Sequence, residues 1–432
     1  MDTKANTSAF AAGAVFGTAF VLAALVLAAY LSEYVGGDFD AYVSGAMKLR
    51  DEPDELYAWT STGARAAHYI YPPFLAALIV PLTWLPRDVA LSIWMLIELT
   101  SAGALLCHMR AKPRTELMLA TAVLLVPLVH DLYCGQVNML VLFCVVVAAR
   151  ALEKRRDARA GALLAVAALI KVLPILLLVP LLVTGRFRLL LGFLPAMLCG
   201  MLLPSVWLFP QAGLSAPLKS LALHYEYADR ALLGHAQTLD PTMIGSAEPL
   251  NYSMPAVSGR IAAKASRVTR GSDLTKLELT WARRAGACAG LLMFGLAVLA
   301  AWRRRGDPAF LPLLGLCYFI AILSNVTTWH HHLGVLALLS WNSRRSPWVV
   351  FSVLVVVHLP YLLWAYPDNY PRTGHLLTYF LDWGISTALL AATALGAVYC
   401  YLARSDAQAP IFLLNSGEGP KSSSKSPLGA LN

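Results

Sequence analysis

Charge is scarce in this sequence. Only 14% of its 432 residues are Asp, Glu, Lys or Arg, against about 25% in an ordinary soluble domain. Hydrophobic residues make up 58% and the mean hydropathy is +0.61, which excludes a soluble enzyme. Strict alternation of apolar and polar residues is also missing. Stretches such as VLAALVLAAYL do not fit the ten-residue strands of a transmembrane barrel, whose inner face is polar. The seven cysteines show no CxxC spacing, so neither a disulfide framework nor a zinc site is indicated. No repeat of fixed period is visible, which argues against a solenoid. What is present is a series of apolar runs from Ala9 to Ala403, too many for a signal peptide or a single anchor. The expectation is an all-α polytopic membrane protein.

The net charge of +9 would fit a nucleic-acid partner only if the basic residues formed one patch. They lie instead in short links between apolar runs: Arg110 to Arg114, Lys154 to Arg159, Arg186 and Arg188, Arg303 to Arg305, Arg344 and Arg345. That is the pattern of cytoplasmic loops. A first span near 9–31 is followed by a polar loop holding seven acids, placed outside. Within it Phe39, Tyr42, Val43, Ala46 and Met47 follow the spacing of a short amphipathic helix, with Asp38 as its N-cap. Counting back from spans near 377–402, 348–365, 331–342, 308–324, 285–302 and 189–209 puts the segment 210–283 outside as well, together with the turn 324–332. The expected organisation is one polytopic domain over 1–414, with outer loops 32–70 and 210–283, and a disordered cytoplasmic tail over 415–432. Two segments are short or broken, Pro72–Pro86 and Ala160–Thr184, the second interrupted by Lys171 and Pro174. Irregular backbone at such depth is tolerated where it faces protein or a wet cavity. The total is about 11–13 membrane segments.

Six places carry candidate chemistry. Asp38 and Asp40 are helix-start acids that would be ordinary caps in a soluble protein. Just past a membrane span, a carboxylate can also act as general base toward a hydroxyl at the lipid surface. Tyr69 and Tyr71 flank the re-entry at Pro72 and Pro73, as interfacial belt aromatics or as the lining of a groove for a sugar or an isoprenoid. Gln136 and Asn138 in CGQVN are either helix caps or ligands for sugar hydroxyls. Lys171 sits among apolar residues, where an ammonium needs a counter-charge, and a phosphate is a natural one. Asn251, Ser253 and Arg260 lie in the large loop. Last comes SNVTTWHHH, with Trp329, His330, His331 and His332. The i, i+4 spacing of a helical metal pair is absent, so histidine donation to phosphate or sugar oxygens is favoured over a metal site.

Together these segments resemble the polyprenyl-phosphate-sugar-dependent glycosyltransferases of family 87, which have the GT-C membrane fold and include mycobacterial mannosyltransferases and arabinofuranosyltransferases. Asp38 with Tyr42, Tyr71-Pro-Pro-Phe74, Gly135-Gln136 with Asn138, Lys171 with Pro174, Asn251 with Ser253 and Arg260, and Trp329 with His331 and His332 stand in the family's order. Tyr252 replaces a usual glutamine, and Asn325 to Thr328 departs from the usual Ser-Pro-Ile-Ser.

The resemblance implies transfer of a glycosyl unit, mannose or arabinofuranose, from a polyprenyl-monophosphate donor to a lipid- or glycan-linked acceptor hydroxyl, with inversion, at the outer face of the cytoplasmic membrane. Asp38 and His331 are then expected to be catalytic. Donor contacts fall to His332, Arg260, Lys171, Tyr71, Gln136, Asn138, Asn251 and Tyr42, with Asp40, His330, Tyr69, Ser253 and Trp329 as secondary candidates. No cofactor, metal or nucleic acid is expected. A transporter or lipid-linked-sugar flippase fits the composition equally well, although internal repeats, the usual mark of transporters, are not visible. A ligase or polymerase of pyrophosphate-linked glycans is a further alternative.

Overall fold

The computed structural model describes residues 36–57, 69–109, 114–232, 253–272, 275–303, 305, 310–324, 330–335 and 385–403. Among these residues every regular element is helical, as the lack of alternation predicts. The expected first span and the C-terminal tail lie outside the described residues.

Helix α1, Gly37–Asp51, is the short helix expected after the first span. Phe39, Tyr42, Ala46 and Leu49 are its buried face, whereas Met47 points outward. The cap differs from expectation. Gly36, not Asp38, is the N-cap, with φ 87°, a left-handed conformation that glycine adopts without a Cβ penalty. Its N–H donates to the Tyr133 carbonyl at 2.9 Å, which leaves Asp38 inside the first helical turn with its side chain committed elsewhere.

The re-entry at Pro72 and Pro73 forms α2, Pro73–Ile79, continued by a 3-10 turn over Val80–Trp84. Twelve residues reach roughly 20 Å, short of the ~30 Å hydrocarbon core. Helix α3, Arg87–Met109, is full length. Helix α4, Arg114–Cys134, leads through Gly135 into α5, Asn138–Glu153. Helix α6, Asp157–Ile170, stops where Lys171 turns extended, at φ −147° and ψ 117°. Pro174 then opens a 3-10 turn over Leu173–Leu177, followed by α7, Leu178–Val183. The broken segment at Lys171 therefore contains three short pieces, none able to cross a membrane alone.

Helices α8, Leu190–Leu202, α9, Ser205–Ala212, and α10, Ala216–Leu232, follow in near continuity. The segment read as a polar outer loop is thus partly helical: it also holds α11, Met254–Arg270, and α12 begins at Lys276, nine residues before the span expected at 285. The N-terminal half of α11 is buried through Pro255, Ala256, Val257, Gly259 and Arg260, and the Ser253 cap with Pro255 in the first turn accounts for a helix in a stretch whose polarity suggested a loop. Helix α12, Lys276–Arg303, packs against α11 and against α13, Phe310–Ser324. Residues His330–Val335 form a 3-10 turn where an apolar span was expected, and α14, Ile385–Ala403, closes the described chain.

Among the described residues three helical stretches, Arg87–His108, Phe187–Asp229 and Glu278–Arg303, are long and apolar enough to cross a membrane. Their outward leucines, including Leu96, Leu191, Leu291 and Leu292, are 63–71% exposed, as expected of surfaces that face lipid rather than water.

Helices α6 and α8 pack closely through glycine. A Cβ on Gly192 would lie on the Ala158 carbonyl, and one on Gly161 on the Leu189 carbonyl. Backbone contact leaves nothing flexible to move aside. Gly192→Val should therefore lower unfolding stability by about 3 kcal/mol or more, measured by thermal or denaturant unfolding in detergent, while Gly295→Val on α12, where a Cβ meets nothing within 4 Å, should change it little.

Candidate functional site

Two glycine turns bring the first two motifs together. Gly135 has φ 71°, and a Cβ there would come 2.7 Å from Phe39 Cβ. Its carbonyl accepts from Trp94 Nε1 at 2.9 Å. With no side chain at this point, the α4–α5 corner lies directly on the start of α1, and Gln136 reaches Asp38.

Gln136 is the hub. Its Nε2 donates to Asp38 Oδ2 at 2.7 Å, while its Oε1 accepts from Tyr42 at 3.1 Å and from Tyr71 at 3.3 Å. Two hydroxyl donors on one side and a carboxylate on the other leave the amide one orientation. The Tyr42 and Tyr71 rings meet edge to face, centroids 4.9 Å apart. Asp38 Oδ1 has no protein donor among the described residues. Burial raises the Asp38 carboxyl above its ordinary value, opposed by the Gln136 hydrogen bond and the Lys171 charge.

A second branch runs through Asn138. Its Nδ2 donates to Asp131 Oδ1 at 2.6 Å, and its Oδ1 accepts from Lys171 Nζ at 2.7 Å. Lys171 Nζ is also 2.8 Å from His332 Nε2. An ammonium has only donors, so Nε2 accepts and the imidazole carries its proton on Nδ1. The Tyr71 ring lies 5.9 Å from Lys171 Nζ, which couples the two branches. One of the three lysine N–H donors remains uncommitted among the described residues.

The structure therefore gathers Asp38, Tyr42, Tyr71, Gln136, Asn138, Lys171 and His332 into one network. Gln136 and Asn138 do not act as caps: Val137 occupies the N-cap of α5, and the carboxylates of Glu98 and Asp131 accept from its first N–H groups. Neither Tyr69 nor Tyr71 is a belt aromatic, since both are buried. Tyr69 donates to the Pro72 carbonyl at 2.5 Å and accepts from Ala76 N–H at 2.8 Å, anchoring the start of α2. Asp40 turns to Arg87, with both carboxylate oxygens 2.8 Å from guanidinium nitrogens. Ser253 caps α11 by accepting from Ala256 N–H, and buried Arg260 lies about two turns further along the same helix. His330 and His331 belong to the 3-10 turn beside His332, but their side chains, like Asn251 and Trp329, lie outside the described residues.

Sequence reasoning missed Glu98 and Asp131. The signal was present: one acid within LIELT and one within VHDLY, each inside an apolar run, where ionisable residues are costly and face a partner.

These features define an all-helical membrane protein with a polar site buried where its shortest helices break. The sequence narrows the class further: the model of glycosyltransferase family 87 matches residues 69–325, more than half of the chain, and the chain belongs to that family. It is a glycosyltransferase. No curated protein matches it significantly. The matched segment starts after Asp38, Asp40 and Tyr42 and ends before Trp329, His330, His331 and His332. Both flanks nevertheless enter the network, Asp38 and Tyr42 through Gln136 and His332 through Lys171.

Proposed function

We propose that the protein transfers a glycosyl unit, mannose or arabinofuranose, from a polyprenyl-monophosphate donor to a hydroxyl on a lipid- or glycan-linked acceptor, at the outer face of the cytoplasmic membrane. One observation carries the reading: Asp38 is fixed through Oδ2 by Gln136 while its Oδ1 is left to accept a proton. A carboxylate so placed serves as general base to the acceptor hydroxyl. The hydroxyl attacks the anomeric carbon as the carbon–phosphate oxygen bond breaks, so a single displacement inverts the configuration. The departing phosphate is already a stable anion and needs stabilisation rather than strong acid. Lys171, held by Asn138 and His332, supplies positive charge for it, with His331 and Arg260 as further donors. The placement of basic residues in alternate links supports the outer face. A monophosphate donor needs no bridging divalent ion, so EDTA is expected to leave the rate unchanged.

The deciding measurement uses purified enzyme in proteoliposomes, with labelled monophosphate-linked and pyrophosphate-linked polyprenyl sugars offered side by side. Transfer is expected from the monophosphate donor alone. Turnover confined to the pyrophosphate donor would overturn this reading in favour of a glycan ligase, and movement of labelled lipid across the bilayer without transfer would favour a flippase.

A further inference from the structure

The buried acids behind Lys171 have no part in the reaction just described. Glu98 on α3 is 1% exposed and Asp131 on α4 is 0% exposed. Both accept from the same N–H, that of Met139, through Glu98 Oε2 at 3.0 Å and Asp131 Oδ2 at 3.2 Å. A single N–H shared in this way sets the two carboxyls side by side. Two ionised carboxylates offer only acceptors and repel each other across one N–H, so the arrangement calls for a proton between them. Glu98 Oε1 is buried with no hydrogen-bond partner among the described residues, an arrangement a neutral carboxyl tolerates far better than an ionised one. Helix capping alone would need one acceptor at this N–H, not two carboxyls.

We propose that Glu98 and Asp131 are positioning residues for donor binding: they share one proton, present a single negative charge to Lys171 through Asn138, and so keep its ammonium charged and aimed for the donor phosphate. The chain of contacts is Asp131 to Asn138 at 2.6 Å and Asn138 to Lys171 at 2.7 Å. Of the carboxyls around Lys171, Asp131 is joined to it through Asn138, and Asp38 and Glu98 lie within electrostatic reach. His332 faces it as a neutral acceptor with His130 beyond, and Tyr71 contributes its ring. With Glu98 neutral and Asp131 ionised, the pair and Lys171 sum to zero before the donor arrives. Removing that negative charge makes the buried ammonium lose its proton at lower pH. The inference rests on the reading of Lys171 as the phosphate-binding cation.

The test is the pH dependence of donor KM in proteoliposomes. In the amide variants Glu98→Gln and Asp131→Asn, the carbonyl at 98 still accepts from Met139 and Leu140 and the one carbonyl left at 131 can still accept from Asn138, so a purely structural cap predicts a wild-type profile for all of them. The charge-sharing pair predicts otherwise. Glu98→Gln should leave the alkaline rise in KM in place, Asp131→Asn should shift it partly, because Glu98 can ionise instead, and the double variant should shift it down by about one pH unit or more. An unchanged profile in the double variant, or the whole shift in Asp131→Asn alone, overturns the proposal. Lys171→Arg gives a second measurement that does not depend on the double variant folding: guanidinium does not titrate in this range, so the alkaline rise should disappear, and its persistence assigns the limb to another group. Lys171→Met separates the two levels. Retained donor affinity there sinks the phosphate-binding reading itself, whereas lost affinity with a wild-type profile in the double amide variant sinks only the pair.

Discussion

Asp38→Asn should bind donor as tightly as wild type and lose transfer by about 10²- to 10⁴-fold, the usual contribution of a general base. Asparagine keeps the shape of the side chain, and its carbonyl oxygen can still accept from Gln136 Nε2, now 2.7 Å from Asp38 Oδ2. What it loses is the ability to take a proton at Oδ1. Labelled-donor binding and single-turnover transfer, measured on the same proteoliposomes, separate the two effects. Wild-type turnover by the variant would remove Asp38 from the reaction. The pH profile gives an independent check. Asp38 must be ionised to act, so activity is present above its pKa and lost as pH falls through it. Burial raises that pKa more than Gln136 and Lys171 lower it. The acidic limb of kcat/KM should therefore lie above the ordinary carboxylate range, and a limb within that range would mean that the carboxylate works solvated.

Much of this arrangement was legible in the sequence because the site is built from exceptions to a very apolar composition. Lys171 and the Gln136–Asn138 pair stand out, and an isolated polar residue in such surroundings has to find another. Their meeting follows from the same rule. The break after α6 was readable from Lys171 and Pro174, and the short re-entry from Pro72 and Pro73. The cap of α1 was not, because an acid at a helix start ordinarily caps, and only the proximity of Gln136, 98 residues away in sequence, draws Asp38 off that duty. The same holds for Tyr69, whose belt-like position gives no hint that its hydroxyl is spent on α2. The helices within 210–283 were hidden by polarity: α11 buries its N-terminal half and carries Arg267 and Arg270 in its last turn, and a hydropathy reading averages the two. Glu98 and Asp131 were visible as single acids but not as a pair, since only the N-terminus of α5 brings them to one N–H.

Gln136→Leu should be the most damaging change among residues that do not themselves perform the reaction, and its damage divides into two measurable parts. The first is stability. Tyr42, fully buried, and Tyr71, nearly so, both donate to Gln136 Oε1. With that acceptor gone the two hydroxyls can pair with each other, but one O–H is left without a partner, at a cost of roughly 1–3 kcal/mol. Adding Tyr42→Phe and Tyr71→Phe together should recover most of that loss, whereas Tyr71→Phe alone still leaves the Tyr42 O–H without a partner, because removing every member of a buried polar set is nearly neutral where removing one is not. The second part is catalytic. Asp38 loses the donor that fixes its orientation and lowers its pKa, so kcat should fall about 10²-fold, the scale of a misplaced reacting group, and adding the two phenylalanines should not restore it. Gln136→Glu sharpens the distinction. It keeps the acceptor for both tyrosines and, while the new carboxyl is protonated, a donor to Asp38, so at acidic pH it should unfold like wild type; above that it sets a second carboxylate against Asp38, and like charges at that distance cannot both ionise cheaply. Its acidic limb should move upward, leaving little activity at neutral pH and recovering it as pH rises. If Gln136→Leu and Gln136→Glu instead lose the same stability and share one pH profile, Gln136 is a packing residue and the alignment of Asp38 has another source.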